Sequence, residues 1–112
     1  MEKRHFEVKY LEEDGKVLYK EWHRRLKDET AKDLIRTAVD RMEDGNFGDH
    51  HDLPKTGGLW ELRIHYGKGF RVYYGYHKGA IIVVVCGGEK DNQDSDSKKA
   101  TRLWAAFKGS LK

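Results

Sequence analysis

Apolar and polar positions alternate over residues 5–11, HFEVKYL, which puts Phe6, Val8 and Tyr10 on one face of a strand. The stretch EEDGKV that follows reads as a turn. In residues 19–27, YKEWHRRLK, Trp22 and Leu26 stand four apart, the spacing of a short amphipathic helix. The strongest helical pattern comes next. Ala31, Leu34, Ile35, Ala38, Val39 and Met42 recur at three- and four-residue intervals, and Asp28 is placed to cap them. The pattern stops at DGNFGDHHDLPKTGG, whose glycines, Asn46 and only proline leave no room for regular structure.

Three strands are predicted beyond that loop: Leu59 to Tyr66, Phe70 to His77 and Ala80 to Cys86. The links GKG and KG have hairpin length, so the strands form an antiparallel meander. After GGEKDNQDSDS, the spacing of Ala100, Leu103, Trp104 and Phe107 predicts a last helix, with Ser95, Asp96 or Ser97 available to cap it. The expected fold class is α+β, in the order strand, two helices, three strands, helix, with the meander packed against helices in one domain spanning residues 1–112.

Composition narrows the class. The chain has 112 residues, enough for one modest core, and 37% of them are charged, while three Trp, six Tyr and four Phe concentrate its apolar area in large side chains. The start, MEKRHFEVKY, has no apolar targeting segment, and the longest apolar run, Ala80 to Cys86, is far below the ~20 residues that span a bilayer. No membrane association is expected. A single cysteine excludes an internal disulfide and fits a reducing cytoplasm. Charge is uneven: residues 1–54 carry 11 Lys and Arg against 14 Asp and Glu, residues 55–112 carry 11 against 5. The basic second half suggests an anionic partner such as nucleic acid, and is equally what a solvated basic surface would give.

Strand periodicity assigns faces. Trp60, Leu62, Ile64 and Tyr66 share one side with Phe70, Val72, Tyr74 and Tyr76, leaving Glu61, Arg63, His65, Arg71, Tyr73 and His77 on the reverse. The third strand is apolar on both sides, as a central strand covered by the last helix would be. Lys90 leaves it after Gly87 and Gly88, which permit a tight exit. Arg63 and Arg71 would then project together from the exposed reverse, beside His65 and Tyr73 and with Lys55, Lys68 and Lys78 at the margins as RNA-binding candidates. Arginine forks suit phosphate oxygens, and aromatic rings stack on unpaired bases. An ordinary charged surface, with one arginine paired to Glu61, is the plainer account.

GNFGD at 45–49, LWELRIHYGKGFRVYY, and VVVCGGEKDNQDSDSKKATRLW resemble the RelE/ParE superfamily of bacterial toxins, most closely the addiction module killer branch grouped with HigB. The resemblance runs from about Tyr19 to Phe107. It implies a RelE-like fold and a cytoplasmic toxin neutralised by a cognate antitoxin of helix-turn-helix type, with no cofactor and no metal. RelE-like members cut messenger RNA in the ribosomal A site; ParE-like members bind and poison DNA gyrase. Cutting proceeds by attack of a 2'-hydroxyl on the adjacent phosphorus, where each well-aimed cationic donor can supply ~3 kcal/mol. Arg71 matches the arginine expected to stabilise that transition state, Arg63 matches a basic position on the preceding strand, and Lys90 lies near the basic residue after the third strand. Where RNA-cutting members carry a further lysine, this chain has Glu61. His65, Tyr73 and Glu61 are the acid/base candidates, with nothing to choose among them. The expected function is a ribosome-dependent mRNA endonuclease; the alternatives are a non-catalytic gyrase inhibitor and an inactive member that only binds its antitoxin.

Other features carry less. DHHD at 49–52 reads as a polar loop rather than a metal site, and Cys86 as a small core residue. GKG and GGEK lack the spacing of phosphate loops. The stripe of Leu103, Trp104 and Phe107 is core packing, and His5, His23 and His77 give no usable pattern. An exposed Arg71 would be removable without loss of the fold.

Overall fold

A computed structural model describes residues 5–110. The chain runs β1 (Glu7–Tyr10), β2 (Glu12–Glu13), β3 (Lys16–Val17), α1 (Leu18–Arg25), α2 (Glu29–Met42), β4 (His50–Asp52), β5 (Leu59–Ile64), β6 (Phe70–His77), β7 (Ile81–Glu89), a 3-10 turn at Lys90–Asn92, and α3 (Gln93–Gly109). Five strands form a mixed sheet in the order β1-β7-β6-β5-β4, with β1 parallel to β7 and the remaining pairs antiparallel. The meander and the central place of its third strand agree with the periodicity, as does the cap on α2, where Asp28 Oδ1 accepts from the Ala31 N–H at 3.2 Å.

Several boundaries differ from expectation: α1 ends at Arg25 and β5 at Ile64, two residues short of Lys27 and Tyr66, and four other differences are larger. EEDGKV is not only a turn: Asp14 and Gly15, both at positive φ, join β2 to β3 in a small hairpin. The predicted loop contains β4, three residues paired with Trp60 to Leu62 of β5. Strand β7 continues through Gly87 and Gly88 instead of exiting there. Its glycines serve close approach, since a Cβ on Gly87 would lie 2.3 Å from the Trp22 ring and one on Gly88 would lie 1.8 Å from Asp96 Oδ2. Finally, α3 begins at Gln93, so Ser95, Asp96 and Ser97 lie inside it and none caps it. Acidic Asp94 and Asp96 in its first turn favour the positive end of the helix dipole.

Two cores sandwich the sheet. Leu62, Ile64, Phe70, Val72, Tyr74, Ile82 and Val84 pack under α1 and α2 with Tyr19, Ile35, Val39 and Met42. On the other side Leu59, Tyr73, Val83 and Val85 meet Ala100, Leu103 and Trp104 of α3. Opposite Tyr73 and Tyr74 of β6, β7 carries one extra residue, Val85, a bulge on β7 beneath that helix. The reverse of the meander is therefore covered along much of its length. No described helix is long and apolar enough to cross a membrane.

Candidate functional site

Antiparallel pairing makes Arg63 of β5 and Arg71 of β6 direct partners, so both project from the α3 side of the sheet. Glu61, two residues before Arg63, shares that side and sits opposite Tyr73. Two guanidiniums side by side repel, and here a carboxylate intervenes. Glu61 Oε1 accepts from Arg63 Nε and Arg71 Nη1, both at 2.6 Å, while Oε2 accepts from Gln93 Nε2 at 3.1 Å. Glu61 is fully buried and Arg71 only 7% exposed. Burial alone would raise the Glu61 carboxyl, but the hydrogen bonds and positive charges of the two arginines together outweigh it and hold it below the usual carboxylate range.

These positions correct three expectations. Arg71 is not a solvated strand residue; it lies at the buried edge under α3, in an interior ion pair. Glu61 is not poised as a base, because both oxygens are occupied and its proton affinity is lowered. Tyr73 is wholly buried, its hydroxyl has no partner and burial raises it, so it does not reach solvent or trade protons at neutral pH. The reason is common to all three: α3 covers this stretch of the sheet, which strand periodicity cannot reveal.

Past the end of α3 the sheet is open. Arg63, His65, Gly69, Arg71 and Lys90 line a pocket of about 210 Å³ floored by Ile64 and Phe70. Lys90 is anchored by its backbone, whose N–H donates to the Gly69 carbonyl at 3.0 Å, and its stem packs on Gly69. Its ammonium has no carboxylate partner among the described residues. Exposed His65 uses Nε2 to reach Asp49 Oδ2, and the other Asp49 oxygen takes His51 Nε2 at 2.7 Å. Hydrogen bonds from His65 and His51 hold the Asp49 carboxyl below its ordinary range. A carboxylate accepts only, so Nε2 carries the proton in the neutral ring and Nδ1 is left as a base.

Asp49 belongs to a stretch that reads as loop in the sequence. The Arg63 N–H donates to the Asp49 carbonyl at 2.9 Å, and this edge pairing, not sequence proximity, delivers the carboxylate. The only local hint was the cluster DHHD. Among the described residues no group of His, Cys, Asp or Glu is arranged to hold a metal.

The three marginal lysines do not gather at the pocket. Lys68, in the β5–β6 turn, is bound by Glu89 at 2.8 Å, and that hydrogen bond raises its ammonium. Lys55 and Lys78 occupy positive-φ turn positions at the far end of the sheet. Seven residues of extended chain, roughly 20 Å, separate Lys78 from Arg71.

A family described as Phage derived protein Gp49-like (DUF891) matches residues 21–104, which includes every residue of the pocket. An uncharacterised protein of Haemophilus influenzae strain Rd is 39% identical over 87 residues, covering 78% of this chain and 86% of its own.

Proposed function

The chain belongs to the Gp49-like phage-derived family, a family of type II toxin-antitoxin toxins, and on that premise we propose that it is a RelE-like, ribosome-dependent mRNA endonuclease. Family membership implies an antitoxin partner; we assign that antitoxin to the helix-turn-helix type and the site of action to the cytoplasm. One observation carries the reading: Arg63, His65, Arg71 and Lys90, from two adjacent strands, the turn between them and the segment after β7, line a single small open pocket.

Each arginine commits one of its N–H donors to Glu61 and keeps the others for a phosphate. Glu61 cancels one of the three cationic charges, and in exchange fixes both guanidiniums in advance, the arrangement that stabilises developing charge without reorganisation. His65 Nδ1 takes the proton of the 2'-hydroxyl. The oxygen bonds to the adjacent phosphorus, the bond to the 5' oxygen breaks, and Lys90 or solvent supplies that oxygen with a proton. A 2',3'-cyclic phosphate and a 5'-hydroxyl result. Asp49 orients the His65 ring and stabilises its protonated form.

Induction in bacteria followed by mapping of transcript ends tests this. Fragmented messages with 5'-hydroxyl ends are expected, and Arg63→Ala should lower cleavage by about 100-fold or more while the protein stays folded, since Arg63 is a third exposed. Intact messages with DNA-damage signalling would assign the chain to gyrase poisoning. Absence of any growth effect would mark an inactive member.

A further inference from the structure

On the opposite flank of the β5–β6 turn lies a larger cavity, about 510 Å³, between that turn, the α1–α2 junction and the end of β7. We infer that it is a nucleoside subsite, which receives an unpaired base of single-stranded RNA next to the phosphate held in the basic pocket. The inference rests on the ribonuclease reading and extends it.

Size and lining both fit. Small-molecule sites of roughly 300–1,000 Å³ are mainly apolar with a few polar groups, and here Leu26, Tyr66 and Phe70 form the walls. The Tyr66 hydroxyl donates to Asp28 Oδ1 at 3.4 Å, linking the ring to the α1–α2 junction. Arg25 and Lys27 stand exposed at the rim with no carboxylate partner among the described residues, whereas Lys68 is already bound to Glu89. Apolar walls with two uncommitted cations suit a base and its backbone phosphate.

Continuity singles out RNA as the occupant. Phe70 lines both cavities, which lie on opposite faces of the sheet end, to either side of the glycine-flanked turn at Gly67–Gly69. A strand crossing this turn could leave one phosphate at Arg63 and Arg71 and drop a neighbouring base against Tyr66.

The test uses the purified full chain and a short single-stranded RNA with every 2'-hydroxyl methylated, which cannot be cut. Anisotropy gives its affinity, compared with the same oligonucleotide lacking one base. Tyr66→Ala should weaken binding of the intact probe by at least about fivefold and leave the matching abasic probe unchanged; Tyr66→Phe should retain affinity. Tyr66→Ala binding as tightly as the parent, weakening both probes equally, or no RNA binding by any form overturns the subsite. Should the alanine variant unfold, the abasic probe on the parent protein decides: abasic probes that all bind like the intact one overturn it. The two readings separate cleanly. Base-dependent binding without transcript cleavage keeps the subsite and removes the nuclease; transcript cleavage with indifferent Tyr66→Ala does the reverse.

Discussion

Beneath α1 and α2 the sheet offers Leu62, Val72, Tyr74, Ile82 and Val84, a surface without charge whose one polar group is the buried Tyr74 hydroxyl; beneath α3 the same three strands present Glu61, Arg71 and Tyr73 among Leu59, Val83 and Val85. The first surface serves stability by removing apolar area from water. The second gives some of that up. An interior ion pair gains little net stability over apolar side chains of the same volume, yet losing one partner leaves a charge stranded. A polar device under α3 therefore needs another reason, and the pocket at its open end supplies one: Glu61 holds Arg63 and Arg71 side by side where they would otherwise repel.

Breaking the device alone should have the largest effect. Glu61→Ala strands Arg71 and is expected to cost about 4 kcal/mol in urea unfolding, whereas the paired change Glu61→Leu with Arg71→Met should come out close to the parent. A paired variant as unstable as the single one would mean that the ion pair itself holds the fold. On the apolar side Leu62→Ala removes a 2%-exposed side chain and should cost about 3 kcal/mol, with no compensating partner change available.

Acid sharpens the contrast. Glu61 titrates below its ordinary 4.5 in the folded chain, so the stability it contributes is complete above that value and is lost as pH falls through the depressed one. Burial raises Asp96 instead, which works in the opposite direction, favouring the folded state as that group protonates. The Glu61→Leu, Arg71→Met variant should therefore keep more of its unfolding midpoint between pH 5 and pH 3 than the parent does. Equal losses would show that Glu61 is not the group responsible.

The same contrast explains what could be read from residues alone. Period two sorted the strand faces correctly and bounded β6 at Phe70 and His77, because alternation is local. What covers a face is not local. Glu61, Arg71 and Tyr73 look like solvated residues until α3 is laid over them, and that placement depends on Gly88 admitting Asp96 and on Trp104 meeting the sheet. Strand β4 is illegible for a related reason: His50, His51 and Asp52 carry no alternating apolar pattern, and what makes them a strand is long-range pairing with β5. Arg63, His65 and Lys90, candidates from the resemblance and from residue type, line one pocket, whereas Asp49, which pairs with His65, is hidden in the sequence by its loop-like surroundings.

The smallest expected effect concerns Tyr73. Its hydroxyl is buried without a partner, so it forfeits hydration and receives no hydrogen bond in return. Tyr73→Phe removes that unmet demand while keeping the ring against Val83 and Leu103, and should raise stability by about 1 kcal/mol. It should leave transcript cleavage unchanged, because burial raises the hydroxyl far above neutral pH and α3 separates it from the pocket. A loss of cleavage with the fold retained would bring Tyr73 back as a proton donor. It would also require α3 to lift from the sheet during turnover, making the polar underside part of the working site and not only its support.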